Sequence, residues 1–107
     1  MKNRKFQNYG IYIDRNRSFI LASDSILYEE VIQPGIQNTK EICSTIISRL
    51  DNAHRILIFG PSKPKYILQQ EIRKSENMNH VSEEVLITEQ MNGEEALFFL
   101  QKIIPFS

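Results

Sequence analysis

Short apolar runs separated by turn residues fill the first third of the chain, and helical periodicity takes over afterwards. Residues 9–14, 19–22 and 26–32 each group β-branched and aromatic side chains in runs of strand length. The spacers Arg15-Asn16-Arg17 and Ser23-Asp24-Ser25 leave room only for tight turns, so these three strands are expected as antiparallel hairpins. Glu29 and Glu30 break the third run and predict a solvent-facing side, and Pro34-Gly35 ends the meander. Asn38 followed by Glu41 is a capping box, in which the Asn side chain accepts from the third helical amide while the Glu side chain reaches back. The helix it opens places Ile42, Cys43, Ile46, Ile47 and Leu50 on one face.

The second half alternates strand and helix. Residues 55–59 carry four consecutive apolar side chains, the mark of a strand buried on both faces. A helix capped by Ser62 and started by Pro64 should follow to about Lys74, with Ile67, Leu68 and Ile72 inward. Residues 76–82 are polar and loop-like, and Val85-Leu86-Ile87 predicts another buried strand. Asn92 with Glu95 makes a second capping box for a last helix with Ala96, Leu97, Leu100 and Ile103 inward, closed by Pro105. The order is β-β-β-α-β-α-β-α. The simplest mixed five-stranded sheet then has strand order 3-2-1-4-5, the ribonuclease H-like arrangement of an α/β fold. A flavodoxin-like fold would need a helix where only Arg15-Asn16-Arg17 stands.

Composition keeps the chain within one ordinary globular domain. It has 107 residues, 41% hydrophobic and 24% charged, with zero formal net charge. The charge is uneven: residues 1–17 hold Lys2, Arg4, Lys5, Arg15 and Arg17 against Asp14 alone. The expected organisation is a basic, mobile arm over residues 1–8 and a single domain over residues 9–107, the arm serving either as a solvated tail that aids solubility or as a contact to an anionic partner. The lone Cys43 suits a reducing cytoplasm and reads as core filler. There is no secretory leader pattern and no apolar run of membrane-spanning length, so a cytoplasmic location away from membranes is expected.

Gly10-Ile11-Tyr12-Ile13-Asp14 followed by Ser18-Phe19-Ile20-Leu21 resembles the start of bacterial proteins similar to the central domain of eukaryotic and archaeal class I peptide release factors. Ile56-Leu57-Ile58-Phe59-Gly60-Pro61, then Lys65, Leu68 and Glu71-Ile72, resembles their second signature. Asn79-His80-Val81 and Thr88-Glu89-Gln90-Met91 echo the segments that follow. The resemblance implies a ribonuclease H-like fold of the translational-machinery type and a role at or near the ribosome. The release factors' Gly-Gly-Gln tripeptide has no counterpart, because Gly10, Gly35, Gly60 and Gly93 are all isolated. Ser62-Lys63-Pro64 replaces the small acidic stretch of that signature and makes this helix start more positive.

The candidate chemistry lies at strand ends. Asp14 sits where a ribonuclease H-type nuclease keeps its first metal-binding carboxylate, but the strand ending at Phe59 supplies no second acid. Asp14 also reads as a turn residue that accepts hydrogen bonds from local amides. Residues 60–65 present a helix N-terminus with Ser62, Lys63 and Lys65 as anion contacts, although Pro61 and Pro64 contribute no N–H. Tyr9, Tyr12, Phe19 and Tyr28, with Arg15 and Arg17, suggest either a base-stacking surface or ordinary strand packing. His54 and His80 have no metal-ligand spacing.

The leading expectation is a non-enzymatic translation-associated module that binds the ribosome or structured RNA, with no catalytic residue and no cofactor. Its anion or RNA contacts would be Arg4, Lys5, Arg15, Arg17, Ser62, Lys63 and Lys65. One alternative is a metal-dependent nuclease or phosphate-binding enzyme in the crevice between Asp14 and residues 60–65. Another is a small domain that forms a homodimer through its third strand, an open sheet edge.

Overall fold

The computed structural model describes residues 7–33 and 38–103. Arg4, Lys5 and the Pro34-Gly35 and Pro105 stops lie outside the described residues. The elements are β1 (Gln7–Ile13), β2 (Arg17–Leu21), β3 (Ile26–Val31), α1 (Thr39–Ser48), β4 (Ala53–Gly60), α2 (Pro64–Lys74), a 3-10 turn (Glu76–Met78), β5 (Ser82–Ile87) and α3 (Gly93–Ile103). They form one sheet in the order β3-β2-β1-β4-β5, as the order of elements predicts. β1 pairs antiparallel with β2 and parallel with β4, β3 is antiparallel to β2, and β5 is parallel to β4. Four strands, β3, β1, β4 and β5, therefore end at the same edge, and the β1–β2 turn joins them there.

Alternation along the strands divides the core. Tyr9, Ile11, Ile13, Ile20, Ile56 and Ile58 pack on one face against Ile42, Cys43 and Ile46 of α1 and Leu68 and Ile72 of α2. Tyr12, Phe19, Leu21, Leu57 and Phe59 pack on the other against Ala96 and Leu100 of α3. The central position of β1 and β4 explains their near-continuous apolar runs, since both faces are covered by helices. Tyr9, Tyr12 and Phe19 are each 5% exposed or less, which assigns them to packing and removes the base-stacking surface. Tyr28 remains exposed, with the Arg49 guanidinium 4.6 Å over its ring.

Both capping boxes form. Asn38 Oδ1 accepts from the Glu41 amide at 2.8 Å, and Asn92 Oδ1 accepts from the Glu95 amide at 2.9 Å while Glu95 Oε1 accepts from the Asn92 amide. Several boundaries and faces differ from expectation. β1 begins at Gln7, so residues 7 and 8 belong to the sheet rather than to the arm, and the Gln7 amide donates to the Asn52 carbonyl at 2.8 Å. α2 is capped by Lys63 without a side-chain bond, so Ser62 is not its cap, and Pro64 supplies the preset φ. β5 is the edge strand of the sheet formed by the described residues, and Ile87 at its end is 74% exposed. Ile103, the last described residue of α3, is also exposed. At the opposite edge, Glu29 and Glu30 in mid-β3 discourage pairing with another strand.

Two glycines admit close approaches. A Cβ on Gly10 would meet Leu100 at 2.7 Å, so this position lets α3 settle onto β1. A Cβ on Gly60 would lie 2.1 Å from the Ile13 carbonyl oxygen, at a φ of +156°. Gly60→Ala should therefore cost on the order of 3 kcal/mol or prevent folding, read as the denaturant midpoint, whereas wild-type stability would show the β1–β4 contact to be looser. Burial raises the Cys43 thiol from 9.0 to about 12. The folded chain thus keeps a proton the unfolded chain gives up, so this contribution is complete below the ordinary thiol pKa and declines as pH rises above it. Alkylation of Cys43 at neutral pH should follow global unfolding, with little labelling of the folded chain.

Candidate functional site

The shared strand edge is organised by Asp14, which follows the last residue of β1 and is 3% exposed. Its Oδ1 accepts from the amides of Asn16 at 2.7 Å and Arg17 at 2.9 Å, which shapes the β1–β2 turn. Its Oδ2 accepts from the Tyr12 hydroxyl at 2.6 Å. The Tyr12 oxygen in turn accepts from the Met91 amide at 3.0 Å, which anchors the segment entering α3. Burial, then the bond to Asp14, raises the Tyr12 pKa far above 10.0, so the hydroxyl keeps the proton it donates. These are the local amide bonds expected of Asp14 as a turn residue. Among the described residues no group of three or more His, Cys, Asp or Glu side chains is placed to hold a metal ion.

Beside this network, on the face covered by α1 and α2, lies a cleft of about 590 Å³. Ile13, Ile42 and Ile67 give it an aliphatic floor, and Arg15, Asn16, Thr39 and Lys63 stand around it. Its walls are the β1–β2 turn and the first turns of α1 and α2, brought together because the parallel strands deliver both helix starts to one edge. Arg15 and Lys63 are exposed there.

The other candidates separate from this pair. Arg17 is half-buried, in strand alternation with Phe19, and so belongs to the α3 face. Lys65 is corrected: it is only 2% exposed, faces inward from α2 and donates from Nζ to the Ser62 carbonyl at 2.8 Å. Burial lowers its pKa from 10.5. The geometry leaves it no free approach to an anion, and Ser62 itself is half-buried. Sequence reading missed Thr39 and the aliphatic floor. The capping box at Asn38 marked the α1 start, and the parallel order would have carried it to the Asp14 edge.

No family model and no curated protein sequence matches the chain. The fold is similar to that of Archaeoglobus fulgidus Pelota, whose crystal structure reveals inter-domain structural plasticity. The match has a TM-score of 0.65 and 10% sequence identity, and covers 94% of this chain and 32% of Pelota. The likeness is one of fold, and the chain spans about a third of Pelota's length.

Tyr12→Phe removes the donor to a buried carboxylate and the acceptor for the Met91 amide. It should lower stability by about 1.5–3 kcal/mol in denaturant unfolding. Asp14→Ala, which leaves three donors without their acceptor, should cost more. A Tyr12→Phe protein as stable as wild type would mean that the network does not hold this edge together.

Proposed function

We propose that the chain is a non-enzymatic binding module of the translation machinery, contacting the ribosome or a structured RNA through the edge that carries Arg15 and Lys63. The fold correspondence with a part of Pelota over 94% of the chain is the observation that carries this reading. Pelota is a release-factor-like translation protein, and the resemblance of residues 10–21 and 56–72 to release-factor central domains points the same way. The chemistry of the edge agrees with a binding role. The one carboxylate there with nuclease-like placement is committed to a tyrosine hydroxyl and two turn amides. The exposed charges beside it are cationic, which suits phosphate contacts. The isolated glycines supply no Gly-Gly-Gln tripeptide, so the module would bind without hydrolysing peptidyl-tRNA by that route. The basic start, with Arg4 and Lys5, would add to the same attraction, and the setting would be the cytoplasm.

Co-sedimentation with ribosomes and their subunits at two salt concentrations tests this. The chain should pellet with ribosomal particles and be released by salt, as phosphate contacts require. Arg15→Gln with Lys63→Gln should weaken association about tenfold and flatten its salt dependence. A protein that stays in the supernatant at low salt, or binds without regard to salt and to both substitutions, would sink the proposal.

A further inference from the structure

We infer that the cleft takes one unpaired nucleotide of a single-stranded RNA, with its base on the aliphatic floor and its flanking phosphates on Arg15 and Lys63. This rests on the translation reading and names what the same edge would hold. The cleft combines an apolar and a cationic surface. Its lining beneath the rim is aliphatic: Ile67 of α2 and Ile32 after β3 are partly exposed, over Ile13 and Ile42, which are 0% and 3% exposed. Its rim carries two exposed cations from two different loops and polar side chains at Asn16 and Thr39. A volume of about 590 Å³ falls within the range of about 300–1,000 Å³ usual for small-ligand clefts, and suits one nucleotide rather than a duplex.

The charge balance favours an anion with an apolar body. Asp14 is the one acid among the described lining residues, and its oxygens already accept from the Tyr12 hydroxyl and the Asn16 and Arg17 amides. Arg15 and Lys63 carry the remaining formal charge at the rim. A phosphate group alone would use the rim and ignore the floor, and an aliphatic partner would do the reverse. A nucleotide uses both. The floor offers no hydrogen-bonding pattern to distinguish bases, so recognition would be of an extruded base as such, with little sequence preference.

Fluorescence anisotropy with short labelled oligouridylate and oligoadenylate tests this, beside an abasic strand of equal length and an RNA duplex. Base-bearing single strands should bind at least about tenfold more tightly than the abasic strand or the duplex. Asn16→Trp fills the cleft from an exposed position and keeps the backbone bonds of the turn, so it should remove the preference for bases without unfolding the chain. Ile67→Trp should do the same from the floor. Arg15→Gln with Lys63→Gln should weaken all strands. Equal binding of abasic and base-bearing strands, indifference to Asn16→Trp, or UMP and AMP competing as well as the strand would overturn the assignment. Ribosome co-sedimentation of the Asn16→Trp protein separates the two readings. Ribosome binding by a wild-type protein with no base preference defeats the cleft alone. Base-dependent strand binding by a protein that ignores ribosomes supports the cleft and defeats the translation reading alone.

Discussion

A buried carboxylate must have its oxygens satisfied, and at the carboxyl edge of this sheet that requirement shapes the surroundings of Asp14. Two amides of the β1–β2 turn and the Tyr12 hydroxyl converge on it, and Tyr12 carries the connection on to the Met91 amide before α3. The turn that presents Arg15 and the segment that starts α3 are thereby tied to the central strand. Charged acceptors make stronger bonds than neutral ones, so the geometry is held firmly. The same bonds commit Asp14 to structure. A residue that in another setting would hold a metal here anchors a turn.

The second constraint is the closeness of β4 and β1 at that edge. Gly60 lets the β4 end pass against the Ile13 carbonyl, and α2 then starts at Pro64 with its buried side, including Lys65, turned to the sheet. Lys63 is left outside while Lys65 goes under. Two lysines two residues apart on a helix start are separated by about 200° around its axis, so they cannot share one role. The cleft inherits its charge from this: one lysine from α2 and one arginine from the turn, over a floor of isoleucines. A cationic rim and an aliphatic surface thereby adjoin in one cleft.

Much of the architecture was legible in the residues. The short spacer between the first two apolar runs forced a hairpin, the capping boxes at Asn38 and Asn92 located two helix starts, and the apolar run before Gly60 identified a central strand. Periodicity also placed Ile42, Cys43 and Ile46 correctly, because each lies on the only face of α1 that meets the sheet. The positions that were misjudged or left open share a cause. Ile87 and Ile103 are apolar at the margins of the fold, where a local pattern cannot show that no neighbour arrives. Tyr9, Tyr12 and Phe19 carry polar or aromatic chemistry that suits either a surface or a core, and only the coverage of both sheet faces decides between them.

What the sequence determined by itself was therefore the succession of elements and the edge at which a ligand would be sought, since turns, caps and periodicities are local and act within a few residues. The tertiary structure decided which charges serve that edge. Arg15 and Lys63 line one cleft although they are far apart in the chain, Arg17 falls to the opposite face, and Lys65 is buried against the Ser62 carbonyl. The reason is physical: whether a side chain is a free charge or a buried donor depends on what packs over it, and that is set by helices and strands from elsewhere in the chain.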